Sequence, residues 1–258
     1  MDLELFDLTG KVAMVTGSTR GLGEVAAKAL AKAGADVAIC GRKQADLDRV
    51  SADIRGLGRD SAGFFLEVTS KENIQQGVAK ILDHFGRVDI LVNNAGTNYR
   101  EPILEYEEEA WDRIINTNLK GYFFVAQAVV PQMISRGYGK VINISSIAGQ
   151  IVVPTQVTYA SAYTAAKGGV NQLTKVMAVE WAKKGVRVNA IGPTYFETEM
   201  VKQVLTDTER LKIIEDHTPM GRMGKLQELE GTIIFLAAPA SDFITAQIIY
   251  VDGGWTAY

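Results

Sequence analysis

Seven short apolar segments, separated by longer amphipathic ones, constrain what this chain can fold into. Most of the short segments are rich in valine and isoleucine without polar alternation, which is typical of strands buried on both faces. They span residues 12–16, 36–40, 63–68, 88–92, 141–144, 186–191 and 247–251, and helical patterns lie near residues 22–33, 44–55, 71–85, 107–136, 162–184 and 225–238. This alternation predicts an α/β fold, a doubly wound parallel sheet of about seven strands with helices on both faces.

No linker, repeat or composition break interrupts this pattern, so residues 1–258 are predicted to form one domain. Residues 193–224 are an exception, because they hold turn residues and a short charged helix between the sixth and seventh strands. Ligands of doubly wound sheets bind outside the carboxyl ends of the strands. This segment is therefore predicted to be a substrate lid.

A glycine-rich loop follows the first strand and leads into an alanine-rich helix. Glycines permit a tight turn and close backbone approach, and the helix N-terminus offers N–H groups to a diphosphate. The spacing G-x-x-x-G-x-G is not the common G-x-G-x-x-G, and a purely structural turn is the alternative. The position between strand and helix favours a dinucleotide site made of Gly17, Ser18, Thr19, Arg20, Gly21, Leu22 and Gly23.

The end of the second strand bears on which dinucleotide binds. An NAD enzyme usually has Asp or Glu there to hold the ribose 2′-hydroxyl. This chain has Gly41 instead, followed by Arg42 and Lys43, and Arg20 lies in the glycine loop. Cations without a carboxylate suit a 2′-phosphate, so NADP(H) is favoured and NAD(H) remains possible. The alternative is that Arg42 and Lys43 are ordinary solvated charges.

Composition argues against other classes of function. A net charge of -3 gives no broad basic field, so neither nucleic acid nor an anionic membrane is expected as a partner. No signal-peptide pattern or membrane-length apolar run is present. Cys40 lies in an apolar run, which favours a buried thiol. As the one cysteine it cannot form an intrachain disulfide, which fits a reducing compartment, and a cytoplasmic location is expected. No group of His, Cys and carboxylates has metal-ligand spacing, so no metal is expected.

An ordered set of motifs over nearly the whole chain resembles the short-chain dehydrogenase/reductase family. In chain order they are Thr16-Gly17-x3-Gly21-x-Gly23, Asn93-Asn94-Ala95-Gly96, Asn118, Ser145-Ser146, Tyr163-x3-Lys167, Pro193 and Val251-Asp252-Gly253-Gly254. Each motif is weak alone, but the ordered set is specific. The resemblance implies a Rossmann-type fold and an NAD(P)-dependent oxidoreductase that interconverts a secondary alcohol and a ketone.

The same resemblance implies roles for individual residues. Tyr163 would exchange the proton, Ser146 would hydrogen-bond the substrate oxygen, and Asn118 would help to hold a water in a proton relay. Lys167 would bind the nicotinamide ribose and lower the Tyr163 pKa. The further cofactor residues implied are Glu67, Val68, Asn94, Ala95, Gly96, Pro193 and Thr198.

The chemistry explains why tyrosine and lysine belong together. Free tyrosine has a pKa near ~10, which suits neutral pH poorly, and a nearby ammonium lowers it. Tyr163 and Lys167 are four residues apart on a predicted helix, so their side chains share one face. A tyrosine so placed can remove the hydroxyl proton or return it to the nascent alkoxide.

The spacing between serine and tyrosine departs from the family. At the family's common spacing from Ser146 the tyrosine would be Tyr159, but Tyr159 has Tyr163 rather than a lysine four residues later. We therefore assign the catalytic role to Tyr163, with a loop between Gly149 and Thr158 that is four residues longer, the separation of the two tyrosines. That loop would border the substrate pocket.

Two smaller departures affect the cofactor site. Glu67 stands before Val68 where the family often has an aspartate that contacts adenine. Thr194 follows Pro193 where the family favours glycine, and glycine allows the backbone closer to the nicotinamide.

The substrate and the assembly rest on looser resemblance. Segments 195–200, 218–222 and 251–255 resemble sugar-acid and polyol dehydrogenases, especially the gluconate 5-dehydrogenase type. Arg100, Arg222 and Lys202 are candidate partners for a substrate carboxylate, and His217 is a weaker candidate for substrate contact. The alternatives are a reductase of 3-oxoacyl thioesters or hydroxysteroid-type ketones, and a catalytically idle nucleotide-binding regulatory protein. The family resemblance also implies a homotetramer.

Overall fold

The computed structural model describes residues 4–198 and 206–257, and its centre is a parallel sheet of seven strands. The strands are β1 Val12–Thr16, β2 Asp36–Gly41, β3 Ser61–Phe65, β4 Ile90–Asn93, β5 Gly139–Ile144, β6 Val186–Pro193 and β7 Ile248–Val251. Their order is β3-β2-β1-β4-β5-β6-β7, and every neighbouring pair is parallel. The predicted doubly wound parallel sheet is confirmed.

Helices cover both faces of the sheet. They are α1 Gly21–Lys32, α2 Gln44–Arg55, α3 Lys71–Phe85, α4 Glu108–Ile115, α5 Gly121–Ser135, α6 Ser161–Trp181, α7 Thr208–His217 and α8 Glu230–Ala237. One core cluster lies under α1, α2 and α8, and a second lies under α3, α5 and α6. Side chains of β1 alternate between them, because Ala13 and Val15 enter the first and Met14 the second. Burial on both faces explains the uninterrupted apolar strands.

Two elements differ from the sequence prediction. The helix predicted over 107–136 is interrupted by a π-helical turn, Asn116–Lys120, between α4 and α5. The third strand is Ser61–Phe65 rather than 63–68, because Leu66 and Val68 are buried by packing against the second core cluster and not by strand pairing. An apolar side chain reports burial, which a loop residue can share with a strand residue.

The topology places the site. The chain builds β1, β2 and β3 outward in one direction and then returns to build β4 to β7 on the other side of β1. The carboxyl ends of β1 and β4 therefore flank the point where strand order reverses, which is where doubly wound sheets bind ligands. Among the helices in the described ranges, none is long and apolar enough to cross a membrane.

Candidate active site

The glycine loop leaves β1 through Gly17 and Gly21, whose φ angles of 61° and 56° suit glycine. Ser18 fastens the loop to β2, because its Oγ accepts a hydrogen bond from the Cys40 amide at 2.9 Å. Arg20 precedes α1 in an extended conformation, and its side chain makes no capping hydrogen bond. The first amides of α1 are thus left without a side-chain cap, and this arrangement fits an anionic diphosphate.

The turn after β4 braces that loop. Asn94 Nδ2 donates to the carbonyls of Thr16 and Gly17, both at 3.0 Å. Thr16 Oγ1 accepts from the amides of Asn94 at 2.9 Å and Ala95 at 3.1 Å. A Cβ on Gly23 would collide with the Gly17 carbonyl and the Asn94 amide, so this glycine is required by packing. Leu22 packs against the first core cluster. The structure brings the glycine loop and residues 94–96 together, as the resemblance implies.

The end of β2 has no room for a side chain. A Cβ on Gly41 would lie 2.9 Å from Thr19 Cγ2. Beyond it, Arg42 and Lys43 are exposed, and Arg42 Nη1 pairs with Glu67 Oε2 at 3.2 Å. Arg20 is exposed on the same edge. The cations on which the NADP(H) prediction depends are therefore at the surface.

Glu67 is engaged by its neighbours. Its Oε1 accepts from the Thr69 amide at 3.2 Å and from Thr69 Oγ1 at 3.0 Å, while Oε2 holds Arg42. Partial burial raises the Glu67 pKa, but the bonds from Thr69 and Arg42 outweigh it and hold the pKa below its ordinary value. The carboxylate thus stays charged, and its contact with adenine remains a prediction. Val68 is buried in the second core cluster.

Sequence reasoning missed Arg49, which also shapes the loop. Its Nη2 donates to the Thr19 carbonyl at 2.8 Å and to Glu24 Oε2 at 2.9 Å. Arg49 lies on the second turn of α2, and only the packing of α2 against α1 brings it to the glycine loop. An arginine among many surface charges carries no sequence signal for this contact.

Tyr163 lies in the first turn of α6, close to the side chain of Ser146. Ser146 follows β5, and its Oγ accepts from the Ala148 amide at 3.2 Å. Burial raises the pKa of Tyr163, and the nearby Ser146 hydroxyl and the positive charge of Arg100 partly offset this. The predicted serine–tyrosine pair is thus in contact.

Lys167 is buried on the same face of α6, with its Nζ 5.6 Å from the centroid of the Tyr163 ring. The Nζ donates to the Ile144 carbonyl at 2.6 Å and to Tyr122 Oη at 3.2 Å. Burial lowers the pKa of Lys167 to about 7. The predicted effect of Lys167 on the Tyr163 pKa remains a prediction, since Ser146 and Arg100 are the groups that lower it here.

Asn118 is buried in the π-helical turn. Its Nδ2 donates to the Thr97 carbonyl at 2.7 Å, and its Oδ1 accepts from the Thr97 amide at 2.8 Å. Both ends of the amide are thus used to hold the loop after Gly96. The side chain positions that loop, and its role in a proton relay stays a prediction.

The longer loop after Ser146 packs against the segment predicted to be a lid. Val153 and Val157 share a cluster with Ile214 of α7 and with Trp255, and Tyr163 lies at its edge. Tyr159 is 47% exposed. In the part of the chain that the structure describes, no hydrogen bond or ring contact joins Tyr159 to the catalytic set. The loop therefore forms one apolar wall near Tyr163, with Tyr159 on its outer side.

The segment after β6 faces the glycine loop and Tyr163. Pro193 ends β6, and a Cβ on Gly21 would lie 3.8 Å from Thr198 Cγ2, so Thr198 is close to the loop. Thr194 Oγ1 is buried and has no hydrogen-bond partner among the described atoms. Burial raises the pKa of Tyr195 to about 12, with a further rise from nearby Tyr163. Tyr195 is thus a polar group of this pocket that sequence reasoning did not identify.

The three candidate partners for a substrate carboxylate have different surroundings. Arg222 Nη2 pairs with Glu228 at 2.6 Å, and Lys202 lies outside the described residues. Arg100 acts electrostatically on both Tyr163 and Tyr195. Across residues 4–198 and 206–257, no carboxylate or other acceptor is paired with Arg100. Arg100 is therefore a cation that influences Tyr163 and lacks an ion-pair partner in the described ranges.

The remaining candidates for chemistry are His217, a metal site and Cys40. His217 is exposed, stacks on Trp255 at 5.6 Å between ring centroids, and its Nδ1 is 2.8 Å from the Ile213 carbonyl. Within residues 4–198 and 206–257, no cluster of His, Cys, Asp or Glu side chains could hold a metal ion. Cys40 is buried, and burial raises the pKa of its thiol.

Comparisons with known proteins agree with this geometry. The family model described as enoyl-(acyl carrier protein) reductase matches residues 17–256. The gluconate 5-dehydrogenase of Gluconobacter oxydans (strain 621H) is 40% identical over 253 residues, which cover 98% of this chain and 97% of the relative. A gluconate 5-dehydrogenase from Burkholderia cenocepacia J2315, crystallised with NADP and tartrate, is 38% identical with a TM-score of 0.95, covering 99% of both chains. A short-chain type dehydrogenase/reductase from Mycobacterium marinum is 36% identical with a TM-score of 0.93, again covering 99% of both.

Proposed function

The chain belongs to the short-chain dehydrogenase/reductase family, and from this we propose that it interconverts a secondary alcohol and a ketone on a sugar acid, with NADP(H) as the favoured cofactor. The observation that carries the substrate class is Arg100, which acts electrostatically on Tyr163 and has no ion-pair partner among the described residues. The NADP-bound gluconate 5-dehydrogenase from Burkholderia cenocepacia supports both parts of the proposal.

The chain's own residues would bind the cofactor, orient the substrate and transfer a proton. Bound nicotinamide would supply the hydride acceptor or donor for the substrate carbon. Ser146 and Tyr163, whose side chains lie close together, would both contact the substrate oxygen. Tyr163 would take the hydroxyl proton during oxidation and return it during reduction. The uncapped N-terminus of α1 would hold the diphosphate, and Lys167 the nicotinamide ribose.

The positive charge of Arg100 would favour a substrate that carries a carboxylate. A guanidinium binds a carboxylate through two parallel hydrogen bonds, and such pairs are stronger than neutral ones. A cation near the tyrosines would position the acid end of a hydroxy acid while its alcohol carbon faces Tyr163. The relative crystallised with tartrate shows that a hydroxy acid is compatible with a protein of this family.

The test is a substrate panel with spectroscopic detection of reduced nicotinamide. We expect purified protein with NADP to oxidise gluconate-type sugar acids faster than polyols of the same length. Turnover of neutral polyols alone would contradict the sugar-acid proposal but keep the reaction class. No turnover of any alcohol or ketone would favour the catalytically idle nucleotide-binding protein.

A second substrate class has its own supporting observation. Val153, Val157 and Ile214 are buried against one another where the loop after Ser146 meets α7, with Tyr163 at the edge of their cluster. Apolar surroundings of this kind suit a 3-oxoacyl thioester or a hydroxysteroid-type ketone. Reduction of acetoacetyl-coenzyme A or a ketosteroid with NADPH, at a rate above that for a keto sugar acid, would select this alternative.

The cofactor preference makes a prediction about Arg42. Changing Arg42 to alanine should raise the Kd for NADP by about 10- to 100-fold, because a charge-assisted hydrogen bond to the 2′-phosphate is lost. The Kd for NAD should change little. Nicotinamide fluorescence or calorimetry measures both constants without turnover.

Lys32→Ala is the matched control for Arg42. Lys32 is also an exposed cation with a glutamate partner, Glu230 at 3.0 Å, but it ends α1 far from the glycine loop. Equal losses for NADP and NAD in Arg42→Ala, or no loss for either, would contradict a 2′-phosphate contact.

We propose residues 1–258 as one catalytic domain and residues 193–224 as its lid. Contacts of the lid helix α7 with the loop after Ser146 support closure over Tyr163. We also propose a cytoplasmic location, supported by the single buried thiol of Cys40.

We propose a homotetramer, supported by an apolar stripe on the outer side of α5 and α6. Phe123 is 42% exposed, Val176 61% and Val179 78%. Val176 and Val179 are three residues apart on one helix face, so they form a continuous patch. Exposed apolar side chains on neighbouring turns support an interface with another chain at this face.

Changing Val179 to aspartate should convert the tetramer to smaller species, because a charge would be desolvated in the interface. Light scattering on a sizing column measures the mass. The exposed Phe243, at the turn before β7, changed to aspartate tests whether that turn belongs to the interface. An unchanged tetramer in Val179→Asp would exclude the α5/α6 stripe as the interface.

A further inference from the structure

Tyr122 lies beneath the catalytic lysine. It is in the first turn of α5, one helical turn after Asn118, and is 1% exposed. Its hydroxyl donates to the Ile144 carbonyl at 3.1 Å and accepts from Lys167 Nζ at 3.2 Å. Both capacities of the phenol are therefore used.

The same three groups form a closed triangle. Lys167 Nζ donates to the Ile144 carbonyl at 2.6 Å as well as to Tyr122. The ammonium also lies 4.9 Å from the centroid of the Tyr122 ring and 5.6 Å from that of Tyr163. A cation within about 6 Å of an aromatic face is attracted to it. Tyr122 thus contacts Lys167 through both its hydroxyl and its ring.

We propose that Tyr122 is a positioning residue that holds the ammonium of Lys167 against α6, beside Tyr163, and so supports the proton exchange of the proposed function. A buried ammonium requires acceptors for its donors. In the described ranges, Ile144 and Tyr122 are the two acceptors of Lys167. Removing the Tyr122 hydroxyl leaves one of its three donors without that acceptor.

The charges around Lys167 increase the importance of its hydrogen bond to Tyr122. The rings of Tyr122 from α5 and Tyr163 from α6 lie within 5.6 Å of Lys167 Nζ, measured to their centroids. Arg100 and Tyr195, from the loops after β4 and β6, interact electrostatically with Tyr163. No carboxylate among the described residues offsets the charge of Lys167, whose pKa burial lowers to about 7. A neutral phenol is therefore a main stabiliser of the charged form.

The test is Tyr122→Phe in the full chain, because phenylalanine keeps the buried ring and removes only the hydroxyl. Tyr163 and Lys167 titrate as a coupled pair, because a phenolate favours the charged form of the ammonium beside it. With less of Lys167 charged, the phenolate is less stabilised, and the limb belongs to the pair rather than to either group alone. The rising limb of kcat/KM against pH for alcohol oxidation should move upward by about one pH unit, equivalent to roughly tenfold lower kcat/KM on that limb. The Kd for NADP, measured by fluorescence at a pH below that limb, should change less than kcat/KM.

Tyr138→Phe is the matched control. Its hydroxyl is also buried, but it has no hydrogen-bond partner among the described atoms and lies before β5. This variant should keep the wild-type pH profile. The melting temperatures of both variants should be measured first, so that the assays are run at a temperature at which both are folded.

A double-mutant cycle separates positioning from packing. In a Lys167→Met background, Tyr122→Phe should leave the residual activity and its pH dependence unchanged, because the group through which Tyr122 acts is gone. A Tyr122→Phe profile that coincides with those of wild type and Tyr138→Phe would overturn the proposal. So would an equal further loss in the Lys167→Met background. If the chain proves not to be an oxidoreductase, no variant in the set shows turnover, and that outcome refutes the proposed function instead.

Discussion

Replacing Tyr163 with phenylalanine should lower kcat by about 10²- to 10⁴-fold, the range that general acid–base catalysis contributes. Phenylalanine keeps the ring that packs against the cluster of Val153 and Val157 and loses the hydroxyl close to Ser146. Stability and cofactor affinity should therefore remain close to wild type. Steady-state kinetics in both directions, with thermal denaturation in parallel, measure the effect.

Tyr159→Phe is the matched control for this prediction. Tyr159 lies four residues earlier, is 47% exposed, and should retain most of the activity when its hydroxyl is removed. If Tyr159→Phe abolished turnover and Tyr163→Phe did not, the catalytic tyrosine would lie one helical turn from our assignment.

The pH dependence gives an independent check on Tyr163. Burial raises its pKa above the ordinary value, and oxidation requires the phenolate. The rate of oxidation should therefore climb as pH rises toward that pKa, whereas reduction, which needs the neutral phenol, should hold and then fall. Tyr163→Phe should remove this titration from the residual activity. A residual rate with the wild-type profile would assign the titration to another group.

Replacing Arg100 with methionine should lower kcat/KM for a sugar acid by about 10- to 100-fold, because a charge-assisted hydrogen bond to a carboxylate is lost. Arg100 has no ion-pair partner in residues 4–198 and 206–257, so the substitution breaks no salt bridge described there. The neutral polyol of the same length provides the substrate control, and its kcat/KM should fall much less.

Arg100 also lowers the Tyr163 pKa, so Arg100→Met should shift the oxidation profile to higher pH for every substrate. The ratio of kcat/KM for acid and polyol, taken at one pH, cancels that shift and isolates carboxylate recognition. Arg100→Lys keeps the charge but not the forked donors, so it should restore the pH profile more fully than the ratio.

Arg222→Met is the matched variant, because Arg222 is held by Glu228 at 2.6 Å. It should leave the acid-to-polyol ratio unchanged. An equal loss for acid and polyol in Arg100→Met would assign Arg100 to the electrostatics of Tyr163 alone and would remove the argument for an acidic substrate.

Much of the fold followed from local patterns. Strands buried on both faces must be apolar throughout, and this property made all seven recognisable in the sequence. The pattern misplaced β3 because Leu66 and Val68 are buried without strand pairing. The π-helical turn at Asn118 was also missed, since its residues are compatible with an ordinary helix and its cause is the tertiary contact of Asn118 with Thr97.

The site divides in the same way. The serine–tyrosine contact and the common face of Tyr163 and Lys167 were predictable, the first from the family resemblance and the second from helical spacing. The sequence did not predict which of Arg100 and Arg222 lacks an ion-pair partner, because both are arginines near turn residues. Only the structure shows that Glu228 neutralises Arg222.

By itself, the sequence determined the individual strands and helices, the glycine loop and the common helix face of Tyr163 and Lys167, because these depend on patterns over a few neighbouring residues. Only the tertiary structure decided what surrounds that pair. Tyr122 meets Lys167 from 45 residues away, on a different helix. Burial, the pKa of Lys167 and the freedom of Arg100 arise from contacts between distant segments, and local spacing carries no record of such contacts.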